Sequence, residues 1–168
     1  MRPLVLLDVD GPLNPWAGEA RPPGYVPHDL RLSGRWWACR TLRVHLNPEH
    51  GRRLLDFAAR TGAELAWAST WEHRANTMIG PALGLPTLEV VEFAASDTWK
   101  YGPVARYAYG RPLAWFDDDF ALHETAREAF LERRRGLPTE LIHVDPATGL
   151  TEAHWAALEA FAGHLRIT

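Results

Sequence analysis

The sequence LVLLDVDGPLNP, residues 4–15, decides the fold that we predict for this chain. Its four leading apolar residues are bounded by turn formers, a pattern typical of a buried strand in a parallel sheet. Asp8 and Asp10 follow this strand at its carboxyl end, where open α/β sheets place their ligands. Because two neighbouring carboxylates are costly unless a cation or a donor offsets them, the stretch predicts a metal site at the strand tip. A solvated turn is the alternative, but an apolar strand that runs directly into both aspartates disfavours it.

Composition restricts the class of protein. The 168 residues, of which 46% are hydrophobic and 23% charged, are typical of one compact globular domain, residues 1–168. A net charge of −3 argues against non-specific binding of polyanions by the whole surface, although it permits a local basic patch. Cys39 is the only cysteine, which excludes an intrachain disulfide and a thiolate zinc cluster. Since the N-terminal apolar run is too short for a signal peptide and no stretch approaches the roughly 20 residues that span a bilayer, we expect a soluble, cytoplasmic protein without membrane partners.

Strands and helices are predicted to alternate along most of the chain. Further strands are predicted at residues 63–68, 88–93, 112–116 and 140–144, and helices at 48–62, 72–79, 100–107, 122–135 and 151–165. This alternation predicts an α/β fold, a three-layer Rossmann-like parallel sheet of about five strands. Residues 16–46 interrupt the pattern, because residues 30–32 and 41–46 alternate apolar and polar side chains as an antiparallel hairpin does. We therefore expect a small β-rich flap or cap insertion after the first strand.

Polar residues end three of the predicted strands. They are Asp8 and Asp10, then Ser69 and Thr70, then Asp117, Asp118 and Asp119. Because the carboxyl ends of parallel strands share one edge of the sheet, we expect these groups to converge, with Lys100 approaching from a helix start. Carboxylates in this number suit Mg²⁺, and a hydroxyl, an ammonium group and Mg²⁺ together are the usual means of holding a phosphoryl group. One aspartate can attack phosphorus while a second, two residues on, protonates the leaving group.

Taken in chain order, these motifs resemble the haloacid dehalogenase-like (HAD) phosphohydrolase superfamily. Asp8-Val9-Asp10-Gly11 is similar to the first motif and Trp67-Ala68-Ser69 to the second, while Lys100 suits the third and Trp115-Phe116-Asp117-Asp118 the fourth. An Asp-x-Asp-Gly sequence alone occurs often by chance. The four motifs in this order, spread over most of the chain, form the specific signal.

The resemblance implies a role for each matching residue. Asp8 would be the nucleophile that forms an aspartyl-phosphate, and Asp10 the general acid and base, which points to hydrolysis of phosphate esters rather than to dehalogenation. Mg²⁺ would be held by Asp8, by the backbone carbonyl of Asp10, and by Asp117 or Asp118.

Some placements stay open at the level of sequence. Ser69 aligns best with the residue that contacts the phosphoryl group, but Thr70 offers a second hydroxyl at the same strand tip and is a predicted substrate-binding residue. Asp119 is one aspartate more than the family pattern has at this point. Its alternative role is the N-cap of the next helix, because aspartate is favourable at a helix start. Lys100 is the only lysine of the chain. The alternative to a role in the site is an exposed surface position, which is where most lysines lie.

The insertion carries four arginines and two adjacent tryptophans within residues 31–43. Arg35 and Trp36 are predicted to bind substrate, because arginine and indole groups hold phosphate backbones and stack on bases. The sequence slightly favours the alternative, in which the indoles pack the insertion onto the sheet and the arginines are solvated. By resemblance, insertions at this point form flaps or caps over the active site, and relatives of this pattern occur in RNA repair, which implies a nucleotide or a nucleic-acid phosphate end as substrate.

The predicted function is therefore a Mg²⁺-dependent phosphatase that acts on a phosphate monoester. The alternative is a non-catalytic module that binds phosphate or nucleic acid through the Arg/Trp-rich insertion. A phospho-acceptor switch similar to response-regulator receivers is less favoured, since receivers carry the accepting aspartate on an internal strand whereas Asp8 ends the first one.

Overall fold

The computed structural model of the chain describes residues 2–32, 40–93 and 98–165. The strands in these residues are β1 (Leu4–Leu7), β2 (Val26–Leu32), β3 (Arg40–Leu46), β4 (Glu64–Trp67), β5 (Glu89–Val90), β6 (Leu113–Asp117) and β7 (Thr139–His143). The helices are α1 (Pro48–Thr61), α2 (Gly80–Leu83), α3 (Tyr101–Tyr107), α4 (Glu124–Arg133) and α5 (Glu152–Leu165), and a π-helical turn, Ala75–Ile79, leads into α2. None of the helices in the described residues is long and apolar enough to cross a membrane.

Five of the strands form one parallel sheet in the order β5-β4-β1-β6-β7. The central strand β1 pairs with β4 on one side and with β6 on the other, so that Leu7 lies beside both Trp67 and Phe116. This arrangement confirms the predicted parallel α/β fold of five strands. β1 is internal in the sheet although it is first in the chain, so the position of Asp8 does not distinguish this chain from response-regulator receivers.

The two faces of the sheet are covered by different helices. Val5 and Leu7 pack into a cluster that includes side chains of α1, α2 and α5, whereas Leu4 and Leu6 pack into a second cluster with α3 and α4. Alternate residues of a strand face opposite sides, and the complete burial of β1 explains why its sequence is continuously apolar. Each of these aliphatic side chains contributes about 1.5–3 kcal/mol by its burial, so the strand that carries the aspartates is firmly held.

Local capping explains where the first helix begins and ends. Asn47 precedes α1, and its side-chain oxygen accepts a hydrogen bond from the backbone N–H of Glu49 at 3.1 Å. Gly62 ends the helix in the left-handed conformation. The observed helix, Pro48–Thr61, begins where the sequence predicts and ends one residue before the predicted end.

The fourth helix is shorter than predicted. It begins at Glu124, with His123 in the N-cap position, and not at Leu122. The carbonyl of Asp119 accepts a hydrogen bond from the N–H of Leu122 in a separate turn, so Asp119 is not the N-cap of this helix and that interpretation was wrong.

Strands β2 and β3 form the antiparallel hairpin expected after β1, with Val26 opposite Leu46 and Leu32 opposite Arg40. Val44 and Leu46 are buried in the core beside β1, which fixes the base of the hairpin against the sheet. Arg35 and Trp36 lie outside the described residues. The division of the chain into a single domain with residues 16–46 as an insertion stays a prediction.

Candidate active site

Asp8 follows β1 directly and is buried at the carboxyl edge of the sheet. One carboxylate oxygen, Oδ1, accepts a hydrogen bond from the N–H of Val9 at 2.7 Å, and Oδ2 accepts one from Lys100 Nζ at 2.6 Å. The Ser69 side chain is a further hydrogen-bond partner. These contacts fix both oxygens in position, so a solvated turn no longer explains this residue.

Lys100 lies between two carboxylates, with Nζ 2.6 Å from Oδ2 of Asp8 and 2.6 Å from Oδ2 of Asp117. The alternative interpretation, an exposed surface lysine, is wrong, since Lys100 is only 4% exposed. Burial alone would lower the pKa of this ammonium group, but Asp8 and Asp117 together raise it above its ordinary value. The indole of Trp99 covers the charge, with its centre 4.9 Å from Nζ. The two carboxylates therefore favour the charged form of Lys100 in the site.

Three carboxylates form a group that suits a metal ion. One oxygen from each of Asp8, Asp117 and Asp118 lies within 4.8 Å of the other two. Asp117 Oδ1 also accepts the N–H of Asp119 at 3.0 Å, which orients the side chain. Gly11, with a φ of +87°, makes room for the third carboxylate, because a Cβ there would lie 2.5 Å from Cγ of Asp118.

Charge supports the same interpretation. When all three carboxylates are ionised, they and the Lys100 ammonium group carry a net charge of −2, which one divalent cation would neutralise. Burial, followed by repulsion from Asp8, raises the pKa of Asp117 to about 8. Burial and the neighbouring Asp119 and Asp8 raise the pKa of Asp118 to about 6. A hard cation bound by these oxygens would reverse both effects, so the residues present fit Mg²⁺.

Asp10 lies outside this group of carboxylates and is held by two neutral donors. Asn14 Nδ2 donates to Asp10 Oδ1 at 2.8 Å, and the indole N–H of Trp71 donates to Oδ2 at 2.8 Å. Asn14 in turn accepts the backbone N–H of His45 in β3 at 2.8 Å, which joins Asp10 to the base of the hairpin. Sequence reasoning missed Asn14 and Trp71, although each lies within four residues of a recognised motif.

The two hydroxyls at the tip of β4 are placed differently. Ser69 is completely buried and contacts Asp8, and its oxygen also accepts the N–H of Trp71 at 3.4 Å. Thr70 is exposed and lines the cavity above the aspartates. Ser69 thus helps to hold the Asp8 carboxylate, whereas Thr70 can reach a bound ligand.

A cavity of about 410 Å³ opens above these groups. It is lined by Asp8, Asp10, Trp16, Thr70, Trp99, Lys100, Asp118 and Asp119. The structure thus brings together the groups predicted from three strand ends and from Lys100, and it adds the two indoles of Trp16 and Trp99, which the sequence did not point to. Arg35 and Trp36, outside the described residues, stay predicted substrate-binding residues.

Comparison with protein-family models matches residues 4–155 to the family described as the HAD domain in Swiss Army Knife RNA repair proteins. Comparisons with curated proteins and with solved structures gave no significant match. The family match spans most of the chain, from β1 into α5, and so includes all four motifs and the hairpin. The chain therefore belongs to the family of HAD domains found in Swiss Army Knife RNA repair proteins.

Proposed function

We propose that this protein is a Mg²⁺-dependent phosphatase that removes a terminal phosphate from a nucleic acid through an aspartyl-phosphate on Asp8. Membership of the HAD family supports a phosphoesterase in general, and the RNA-repair context of that family supports a phosphorylated nucleic-acid substrate. The observation that carries the finer proposal is the position of Asp8. Its carboxylate is held by Lys100 and by the N–H of Val9 at the floor of a cavity that Asp10 also lines.

In the first step, a carboxylate oxygen of Asp8 attacks phosphorus, and the bond from phosphorus to the leaving oxygen breaks. Asp10 gives its proton to that oxygen as it leaves, so the alcohol departs neutral. Asn14 and Trp71 occupy only one lone-pair position on each oxygen of Asp10, which leaves room for this proton.

In the second step, Asp10 is a carboxylate and takes a proton from the water that attacks the phosphorus of the aspartyl-phosphate. The bond between phosphorus and Asp8 breaks, which releases inorganic phosphate and restores both aspartates. Lys100 and Thr70 line the cavity and supply donors for the phosphoryl oxygens in both steps.

Mg²⁺ would be held by Asp8, Asp117 and Asp118, with the backbone carbonyl of Asp10 as a further ligand. When bound, the ion supplies positive charge that offsets the charge of the phosphoryl oxygens. Asp117 also accepts a hydrogen bond from Lys100 and holds that side chain in place, whether or not the ion is bound.

The test is hydrolysis of p-nitrophenyl phosphate by purified protein with Mg²⁺. Asp8→Asn keeps the shape of the side chain but removes the nucleophile, so we expect kcat to fall by about a thousandfold or more. The matched control is Asp56→Asn, an exposed position on α1 that pairs with Arg52, and it should keep wild-type activity. EDTA should abolish activity and added Mg²⁺ should restore it. Activity of the pure Asp8→Asn protein within tenfold of wild type would overturn the assignment.

A further inference from the structure

A second cavity, of about 360 Å³, lies beside the one that contains Asp8. Its lining includes Asn14, Trp16, Glu19, Arg21, Arg43 and His45. Trp16 lines both cavities, and Asn14 lines this one while its side chain donates to Asp10. The two cavities are therefore neighbours that share a wall, and a ligand extending from Asp10 past Trp16 enters the second one.

The charges of the two cavities differ. Four carboxylates and one ammonium group line the first, whereas two guanidinium groups, one imidazole and one carboxylate line the second. No described residue accepts a hydrogen bond from Arg21. Arg43 is paired with Asp29 through Nε at 2.7 Å and Nη2 at 2.9 Å, which orients its guanidinium group and leaves Nη1 outside that pair. Arginine in this arrangement suits a phosphate group.

The environment of His45 supports this grouping. Burial lowers its pKa, and the positive charges of Arg21 and then Arg43 lower it further, so both guanidinium groups lie close enough to act on the imidazole. An anion among them would relieve that repulsion.

Trp16 stands between the two cavities and is 65% exposed. Isolated exposed apolar residues are common, but this one lies on the ridge between a phosphatase site and a basic cavity. An exposed indole is a stacking surface for any nucleobase.

We propose that the second cavity, which we call the Arg21–Arg43 subsite, binds the internucleotide phosphate next to the terminal phosphate that Asp8 attacks. The base of the terminal nucleotide stacks on Trp16. This inference rests on the proposed phosphatase function and adds to it a requirement for length: a substrate with at least one phosphodiester bond is preferred over a mononucleotide, because only the longer substrate reaches both cavities.

The experiment compares kcat/KM for a dinucleotide that carries a terminal phosphate with kcat/KM for the matching mononucleotide, in both the 3′ and the 5′ series. Wild-type protein should prefer the dinucleotide by about tenfold or more in one series, and the preference should shrink as salt rises. In the double variant Arg21→Gln/Arg43→Gln the ratio should fall toward one. Trp16→Leu should lower kcat/KM for both ligands by a similar factor, because the terminal base that stacks on Trp16 is present in both. Arg133→Gln, which removes an exposed arginine at the end of α4, should retain the wild-type ratio.

Equal kcat/KM values for dinucleotide and mononucleotide in wild-type protein would overturn the subsite, as would a preference that persists in the double variant. A second measurement separates this failure from failure of the proposed function. Calorimetric titration of the Asp8→Asn protein with the same two ligands measures binding without turnover. If the dinucleotide binds more tightly and this advantage is lost with the two arginines, the subsite is supported even when no phosphate is released. If no substrate is hydrolysed, p-nitrophenyl phosphate among them, only the proposed phosphatase activity is overturned.

Discussion

At the scale of single residues, Asp10 is distinguished from the neighbouring aspartates by its neutral hydrogen-bond donors. Asn14 and Trp71 each donate to one of its oxygens at 2.8 Å. A general acid works only when its proton points at the leaving oxygen, and two donors on opposite oxygens fix the plane of the carboxylate. We infer that Asn14 and Trp71 act through Asp10 as positioning residues.

Trp71→Phe tests this role, because it removes the indole N–H and keeps an aromatic ring. In the proposed mechanism, esters with poor leaving groups need protonation in the step that forms the aspartyl-phosphate, whereas p-nitrophenolate leaves without it. We therefore expect kcat/KM for an alkyl phosphate to fall about tenfold or more, within the range that general acid catalysis supplies, and kcat/KM for p-nitrophenyl phosphate to fall much less.

Trp67→Phe is the matched control for Trp71→Phe, since the Trp67 indole donates to Asn76 at 2.9 Å and not to an aspartate. It should change both kcat/KM values by the same factor. Equal losses on alkyl and aryl esters in Trp71→Phe would mean that Trp71 supports the fold of the site and does not position the acid.

At the scale of elements, helices α1 and α2 approach each other so closely that only glycine fits at Gly51. A Cβ added there would lie 1.8 Å from the backbone oxygen of Leu83, at the end of α2. Gly163, in α5, is the opposite case, since a Cβ there would meet nothing within 4 Å. Glycine-to-alanine substitution at these two positions therefore adds the same methyl group once against backbone and once into open space.

Gly51→Ala should therefore destabilise the protein, and Gly163→Ala should stabilise it. Overpacking against backbone costs about 1–3 kcal/mol, whereas alanine in an exposed helix is favoured over glycine by about 0.5–1 kcal/mol. Urea denaturation with equal m-values measures both changes in the free energy of unfolding. A Gly51→Ala protein as stable as wild type would show that α2 moves away from α1 at little cost.

Two elements differ from their sequence predictions because of contacts distant in sequence. Residues 72–79 were predicted as a helix; helical structure begins at His73, because Glu72 has a φ of 46°, and it is π-helical over Ala75–Ile79. The third strand, predicted over 88–93, is only Glu89–Val90. Beyond it, the N–H of Phe93 donates to the Glu72 side chain at 3.2 Å and not to a neighbouring strand. Local propensity does not report such contacts.

At the scale of the whole molecule, the sequence predicted which groups meet but not what holds them. The sheet fold followed from alternating strands and helices, and convergence of Asp8, Lys100 and Asp117 followed from the shared edge of parallel strands. Asn14 is only four residues from Asp10, but no pattern in the sequence marks its side chain as a donor to that carboxylate. Trp71 was missed because it lies 61 residues from its partner, Asp10. The basic cavity was missed for the same reason, since Arg21 and Arg43 are distant in sequence.

Buried His50 provides a test of how the insertion, α1 and α5 are held together. Its ring packs against Tyr25 with centres 5.3 Å apart and against Trp155 at 5.6 Å. Within the described residues its Nδ1 has no hydrogen-bond partner. Burial, followed by the charge of Arg53, lowers the pKa of this imidazole to about 4 from an ordinary value of 6.5. The native state therefore holds a neutral histidine where the unfolded chain would bind a proton.

That difference predicts a pH dependence of stability. Between pH 6.5 and about 4 the unfolded state binds this proton and the native state does not, so the free energy of unfolding falls as pH falls through that window. The loss attributable to His50 reaches about 3 kcal/mol at most. His50→Phe keeps a buried ring but cannot titrate, so its stability relative to wild type should improve progressively from pH 7 to pH 4 in urea denaturation. Parallel curves for His50→Phe and wild type would mean that His50 is protonated in the native state, and that the contact between α1 and α5 opens to water at low pH.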